Sequence, residues 1–324
     1  MEQDLVLGID IGGQSSKLGV VNARGTIIER DTFSSKGLND LDSYINALTS
    51  SINALIEKVG GKERIKGIGV GAPNGNFYKG TIEYAPNLTW GRAKDGNPTT
   101  IDFANIVSEK VGVPVILTND ANAAAVGEMT YGAARGMKNF IEITLGTGVG
   151  SGIVIGGYVL YGHDGFAGEL GHTTAVRGNG RRCGCGRTGC LETYASAIGV
   201  ARTAREMLES QPDRASSLRD IPLEEITSKD VAIAAANGDE LSKDVFKFTG
   251  TILGRSLADF VAFSAPEAIV LFGGLCKAGD LILKPTVEAL EANVLTLWKN
   301  KVKVIFSTLD DSDAAILGAG ALAW

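Results

Sequence analysis

The chain spells one strand–turn–strand pattern twice. With Gly12 laid on Gly146, "IDIGGQSSKLGVV" falls on "ITLGTGVGSGIVI". Each is an apolar, β-branched run that stops at glycines and resumes, which predicts a hairpin bent around a tight turn. Further along, "AIVLFGGL" from Ala268 echoes "GIGVGAPN" from Gly67. This repetition predicts a duplicated α/β unit in which each half opens on a glycine hairpin. At 324 residues the chain is long enough to give each half a core of its own.

Other segments fill in that frame. Leu41, Ile45, Leu48, Ile52, Leu55 and Val59 recur at helical spacing, and Gly60-Gly61 closes the predicted helix. "IKGIGVGAP" and "VPVILTND" read as buried strands. "DAAILGAGALAW" reads as a small-residue helix that packs closely, back across the hinge onto the first half. The expected division is a small lobe over residues 1–118, joined by the C-terminal helix 311–324, and a large lobe over 119–310.

"GTGVGSG" has the spacing of a dinucleotide-binding turn, but that motif needs a helix straight after its glycines. "IVIGGYVL" follows instead, and it reads as a strand. A glycine turn holds phosphate in another way: successive peptide N–H groups form an anion nest, and missing Cβ atoms let oxygens approach. Gly12 and Gly13, and Gly146, Thr147 and Gly148, are the two candidate phosphate turns. Asp10 ends the strand before the first turn, and Lys17 follows it. A carboxylate there suits Mg²⁺ held through water, and a lysine neutralises charge on a transferred group. The plainer alternative is that the two side chains only pair with each other.

"HTTAVRGNGRRCGCGRTGC" gathers three of the four cysteines and one of the two histidines. His172, Cys183, Cys185 and Cys190 form the closed nitrogen-and-sulfur set that structural zinc prefers, and the glycines between them let the sulfurs converge. Cys276 stands apart and is expected to be a small buried hydrophobe. Arg181, Arg182 and Arg187 are read as a solvated rim. The loop also carries carboxylates: Glu169 in "GELGH" and Glu192, which begins a helix. With His172 they are good partners for sugar hydroxyls, since a metal-bound imidazole can still offer its second N–H.

"VILTNDANAAAVGE" puts Asn119 and Asp120 where a buried strand meets a helix. Either suits an N-cap. The junction is also where an open α/β sheet presents strand ends to a ligand, and an aspartate there can accept a hydroxyl proton during phosphoryl transfer. Asn119 beside it has an amide able to bridge adjacent hydroxyls.

The net charge of −6 argues against nucleic acid or an acidic membrane surface as partner. No apolar run is long enough to span a bilayer, and "MEQDLVLGID" has no basic region ahead of its apolar run. A cytoplasmic location is expected.

Together, "GIDIGG", "NDANAAAVGE", "LGTGVGSGIV", "GELGH", "CGCGRTGCLE" and "FGG" resemble the ROK group of sugar kinases and sugar-responsive repressors. The resemblance implies an α/β, actin/hexokinase-like fold: a duplicated ribonuclease-H-like unit in two lobes with a cleft between them. It implies that Asp120 is the catalytic base for a sugar 6-hydroxyl, and that Asn119, Glu169, His172 and Glu192 bind the sugar. His172, Cys183, Cys185 and Cys190 would hold zinc. The two turns would hold the phosphates of ATP, with Mg²⁺, and Gly273 and Gly274 would lie near adenosine. Asn87 matches a sugar-side loop more loosely.

The chain departs from the group at "APNG", where G-x-P-G is common, and at "GGQSS", where a threonine often follows the glycines. The first strand starts at about residue 4, leaving no room for the helix-turn-helix of the repressor branch. The cysteine set matches glucokinase-like members. The expected reading is a glucokinase working as a homodimer or higher homo-oligomer. A kinase for N-acetylhexosamine, mannose or fructose, and a non-catalytic sugar sensor, are the alternatives.

Overall fold

In the computed structural model, residues 4–310 and 312–324 are described, so the expected boundaries at residues 1 and 311 lie outside the described residues. β1 (Leu5–Ile11) and β2 (Ser15–Asn22) form the first hairpin, which places Asp10 opposite Lys17, and β3 (Ile27–Ser34) extends it. After α1 (Leu41–Lys58) comes β4 (Ile65–Ala72). A small sheet of β5 (Gly75–Asn76), β6 (Thr81–Glu83) and β7 (Thr100–Ile101) follows, then α2 (Phe103–Val111) and β8 (Val115–Asn119). The first sheet runs β3-β2-β1-β4-β8, with β4 parallel to both β1 and β8.

Helix α3 (Asp120–Thr130) leads into the second half. Its hairpin is β9 (Phe140–Leu145) and β10 (Val149–Ile155), extended by the short β11 (Tyr158–Val159). Helices α4 (Glu192–Ala195), α5 (Ala197–Ser210), α6 (Ser228–Ala236) and α7 (Glu240–Ser264) precede β12 (Ala268–Phe272). Then come α8 (Asp280–Asn293), β13 (Lys303–Phe306) and α9 (Ala314–Ala321). The second sheet runs β11-β10-β9-β12-β13, with β12 parallel to both β9 and β13. Strand order and strand direction are the same in both halves, so the duplication read from the sequence holds in three dimensions. The alignment holds in detail: β1 and β9 end at Ile11 and Leu145, one residue before the paired glycines, and β2 and β10 resume at Ser15 and Val149.

The predicted helix over 41–59 is α1. Asp40 caps it by accepting the Ser43 N–H at 2.8 Å, and Ile45, Leu48, Ile52 and Leu55 are buried along one face. Tyr44 from the same face stacks on buried Trp90 with ring centroids 3.7 Å apart. One core lies between the first sheet and α1 and α2. A larger one lies between the second sheet and α5 to α8. Cys276 is only half-buried at the edge of that second core, short of the burial expected from sequence.

Helices α3 and α9 cross against each other on the inner faces, α9 against β1 and β4 and α3 against strands of both sheets. They come unusually close because the strands beneath them are rich in glycine. A Cβ added at Gly8 would overlap the carbonyl of Ile316, and one at Gly69 the carbonyl of Ala319. Those neighbours are backbone and cannot swing aside, so Gly69→Ala is expected to cost about 3 kcal/mol or more of folding free energy. Urea denaturation measures it, and a loss under about 1 kcal/mol would show that α9 lifts off the sheet at little cost.

Candidate functional site

A cavity of about 580 Å³ opens where the ends of β1, β4, β8 and β9 converge between the two sheets. Asp10 reaches it from the end of β1 and Thr144 from the end of β9. Asn119 and Asp120 enter at the β8–α3 junction, and Gly146, Thr147 and Gly148 from the second hairpin turn. Glu169, His172 and Glu192 close the opposite wall, while Asn74, Pro86 and Asn87 come from the first half.

At the junction, Asn119 is the N-cap of α3: its Oδ1 accepts the Ala121 N–H at 2.9 Å. The same N–H is shared with Asp120 Oδ1 at 2.8 Å. Asn119 thus fills the N-cap role the sequence offered, with its NH₂ and the second lone pair of its carbonyl left for a ligand. Asp120 is open to the cavity, yet the protein crowding around it raises its pKa, with the Ala121 N–H acting in the opposite direction. Asp10 is raised to about 6, first by burial and then by the charge of Asp120, while Lys17 pulls it down.

Neither Gly13, Gly146 nor Gly148 has a positive φ. A Cβ on Gly13 would meet the Asn87 carbonyl at 2.9 Å, and one on Gly148 would overlap Glu192 Oε2. Glycine at position 13 is thus required by the Asn87 backbone, the neighbour at Gly148 is the end of a flexible side chain, and a Cβ on Gly146 would meet nothing. Among the described residues, no partner takes the N–H groups of Gly13, Gln14, Thr147 and Gly148, which leaves both turns able to receive an anion. Gly12, Gly13 and Lys17 lie off the cavity wall, and Lys17 acts on it through Asp10. Gly273 lines a separate pocket of about 200 Å³, beside Phe272, which borders both cavities; Gly274 borders neither.

On the far wall, Glu192 Oε2 accepts the Val149 N–H at 3.0 Å, which ties the second turn to the cysteine loop. Burial raises the pKa of Glu169; His172 opposes that, and the charges of Asp120 and Glu192 add to it. His172 and Cys183, Cys185 and Cys190 bring their ligand atoms within 4.8 Å of one another. Zinc about 2.3 Å from each sulfur sets tetrahedral neighbours about 3.8 Å apart. Cys183 Sγ lies 3.8 Å from His172 Nδ1, and Cys185 Sγ lies 3.7 Å from Cys190 Sγ, so the residues fit the ion. With Nδ1 toward the sulfurs, Nε2 is the nitrogen left for the cavity.

Three features were missed in the sequence. Thr144 lines the cavity while donating its hydroxyl to buried Glu142 at 2.9 Å, and an isolated strand threonine carries no signal for that. Ser151 donates to the Gly168 carbonyl and accepts the Leu170 N–H, so it pins the segment that bears Glu169 and His172. Asn76 Nδ2 donates to the Asp164 carbonyl at 2.7 Å, and Phe77 stacks on Tyr161 at 4.1 Å, clasping the two halves beside the cleft. Asn74 uses its amide on the Glu83 and Tyr84 carbonyls, at 2.9 and 3.3 Å. Arg181 is no solvated rim: it is 7% exposed, and its side chain is fully engaged by protein partners.

Comparison with known proteins agrees with this geometry. The chain belongs to the ROK family, whose pattern matches residues 6–324. It is 36% identical over 319 residues to the glucokinase of Halalkalibacterium halodurans, spanning 97% of this chain and 93% of that one. Among solved structures it resembles the ROK family glucokinase from Streptomyces griseus in complex with glucose and AMPPNP, with a TM-score of 0.79, 32% identity and 98% of both chains covered. It also resembles the ROK hexokinase from Thermus thermophilus, with a TM-score of 0.78, 27% identity and coverage of 98% and 97%. The fold is accordingly the two-lobed actin/hexokinase-like one. Among the described residues no helix is long and apolar enough to cross a membrane.

The contact between Gly148 and Glu192 allows a direct check. Gly148→Ala would push the Glu192 carboxylate, the end of a flexible side chain, so folding should lose little while ligand binding at Glu192 suffers. The expected result is a KM for the sugar raised about tenfold, equivalent to about 1.4 kcal/mol, with an unchanged melting midpoint. An unchanged KM would show that Glu192 makes no contact that matters to the ligand.

Proposed function

We propose that this ROK protein is an ATP-dependent glucokinase that transfers the γ-phosphoryl group to the 6-hydroxyl of glucose. What carries the reading is the gathering of Asp120, Glu169, His172, Glu192 and the Gly146–Gly148 turn around one cavity, in a chain so close to glucokinases along its whole length.

Asp120 is the general base. Phosphoryl transfer passes through a loose transition state, so the protein chiefly positions its groups and accepts the proton that the hydroxyl loses. The carboxylate is held in place by the Ala121 N–H and faces the cavity, where a 6-hydroxyl within hydrogen-bond reach would hand over its proton as its oxygen bonds to phosphorus. Asn119 NH₂, Glu169, His172 Nε2 and Glu192 bind the remaining hydroxyls. The unpartnered N–H groups of the two turns receive the phosphates, and the leaving ADP departs from the same side.

Asp10 would hold Mg²⁺: a carboxyl kept near pKa 6 by burial and by Asp120 is one that a divalent cation would ionise. Mg²⁺ supplies charge neutralisation on the phosphates. His172, Cys183, Cys185 and Cys190 would hold zinc, which would supply a rigid anchor for the sugar-binding loop rather than a site for chemistry.

The deciding experiment is ADP release from Mg-ATP across glucose, mannose, fructose, N-acetylglucosamine and N-acetylmannosamine. A kcat/KM preference for glucose is expected, and Asp120→Asn should lower kcat by about a thousandfold or more while glucose still binds. A preference for an acetylated sugar would keep the mechanism and replace the substrate. Binding without turnover would leave a sensor.

The zinc anchor has its own test. Cys185→Ser should lose the metal by elemental analysis and raise the KM for glucose about tenfold, leaving the KM for ATP within about twofold. Unaltered glucose binding in the metal-free variant would separate the zinc from the sugar site.

A further inference from the structure

A second cavity, of about 560 Å³, lies between the segment that runs into Cys183 and helices α4, α5 and α7. In a chain of net charge −6, four arginines border it, Arg181, Arg182, Arg202 and Arg255, against one carboxylate, Glu206. Its floor is rigid. The Arg181 guanidinium donates to the Thr193 carbonyl at 2.8 Å and to Thr203 Oγ1 at 2.9 Å, pairs with Glu206, and lies 4.5 Å from the centre of the Tyr194 ring. Glu206 also takes Arg202 Nε at 2.8 Å, so the single carboxylate is shared by two guanidinium groups. Arg182 and Arg255 are exposed, and among the described residues no ion pair or side-chain hydrogen bond holds either one.

We propose that this cavity binds a phosphate-bearing small molecule, and that its occupancy is felt at the sugar site. A guanidinium fork matches the oxygens of a phosphate, and two unpaired forks beside a floor already fixed by Arg181 leave a charge deficit for a dianion to fill. Phe248 and Ile252 in the same wall offer apolar surface for the organic part of a ligand. The cavity is an open cleft whose volume, close to that of the first cavity, suits a metabolite.

The route to the sugar site is short. The Arg181 N–H donates to the Tyr194 hydroxyl at 2.8 Å, and its carbonyl accepts the Gly189 N–H at 2.8 Å. Arg181 thus bridges the cysteine loop and α4, two residues from Cys183 on one side and from Glu192, through Tyr194, on the other. Inorganic phosphate and the sugar phosphate formed by the reaction present the same group, and the test separates them.

Calorimetric titration of inorganic phosphate, and separately of glucose 6-phosphate, into protein whose catalytic cavity is saturated with glucose and AMPPNP should reveal one further site. Equal affinity for both would mean that the phosphate alone is read, and tighter binding of glucose 6-phosphate that the sugar is read as well. Arg182→Ala with Arg255→Ala should weaken this binding about tenfold or more and leave turnover without added ligand unchanged. In the wild type the ligand should shift the KM for glucose about fivefold more than in the double variant. No heat from either probe, or equal affinity in the double variant, overturns the site; equal KM shifts overturn the coupling. Sedimentation of Arg182→Glu with Arg255→Glu provides the remaining arm: dissociation of an oligomer would assign the arginines to a subunit interface and overturn the proposal.

Discussion

Two carboxyl groups that repel each other across one cavity govern the rest of the molecule. Asp10 and Asp120 stand close enough for the charge of one to raise the pKa of the other, and enclosure by protein raises both. Nothing in that arrangement helps the chain to fold. It persists because each acid is fixed by an element that is stable for other reasons: Asp10 by the central strand β1 with Lys17 opposite, Asp120 by the N-terminus of α3. The electrostatics there are unfavourable for two ionised carboxylates, which is the mark of a functional site rather than of a folding contact.

Two separate frameworks keep the acids from drifting apart. The first is the crossing of α3 and α9 over glycine-rich strands, where backbone meets backbone and small shifts are blocked by hard contact. The second is the cysteine loop, which the metal-ligand set gathers into a knot and which Glu192 fastens to the β9–β10 turn through the Val149 N–H. The first positions Asp120 relative to the two glycine turns. The second positions Glu169, His172 and Glu192 relative to the same turns, so both walls of the cavity share one reference point.

The parts of this design legible in the sequence were those with short-range signatures. The paired hairpins were readable because strand alternation and turn glycines are local, and helix α1 because its apolar stripe is unbroken. The cysteine set was readable because two residue types otherwise scarce in the chain are concentrated there. Helices α7 and α8 were not read, and their seam shows why. Gly250 packs on Pro285 and Gly254 against the Thr286 carbonyl, with Ser242, Thr249 and Ser256 also buried, so the α7–α8 seam is made by small and polar residues beside the apolar stripe of α7. Arg181 was misread because a buried arginine owes its burial to partners distant in sequence, Thr203 and Glu206 among them. The reason for the turn glycines was hidden likewise, since Asn87 and Glu192 are remote from the turns they press against.

The duplication also explains how one hairpin can serve two tasks. Asp10 in the first half corresponds to Thr144 in the second, and both reach the cavity from the end of the central strand. Lys17 corresponds to Ser151. In the first half the pair is charged and acts on the electrostatics of the cavity. In the second it is neutral and mechanical: Thr144 is engaged with Glu142, and Ser151 holds the Gly168–Leu170 segment that presents Glu169 and His172. A further acid at position 144 would add its charge to Asp10, Asp120, Glu169 and Glu192 around one solvent pocket, and the cost of ionising each would rise with every addition. The two hairpins therefore keep the same backbone and divide the work: the first carries a charged pair, and the second carries a neutral pair that anchors the Gly168–Leu170 segment.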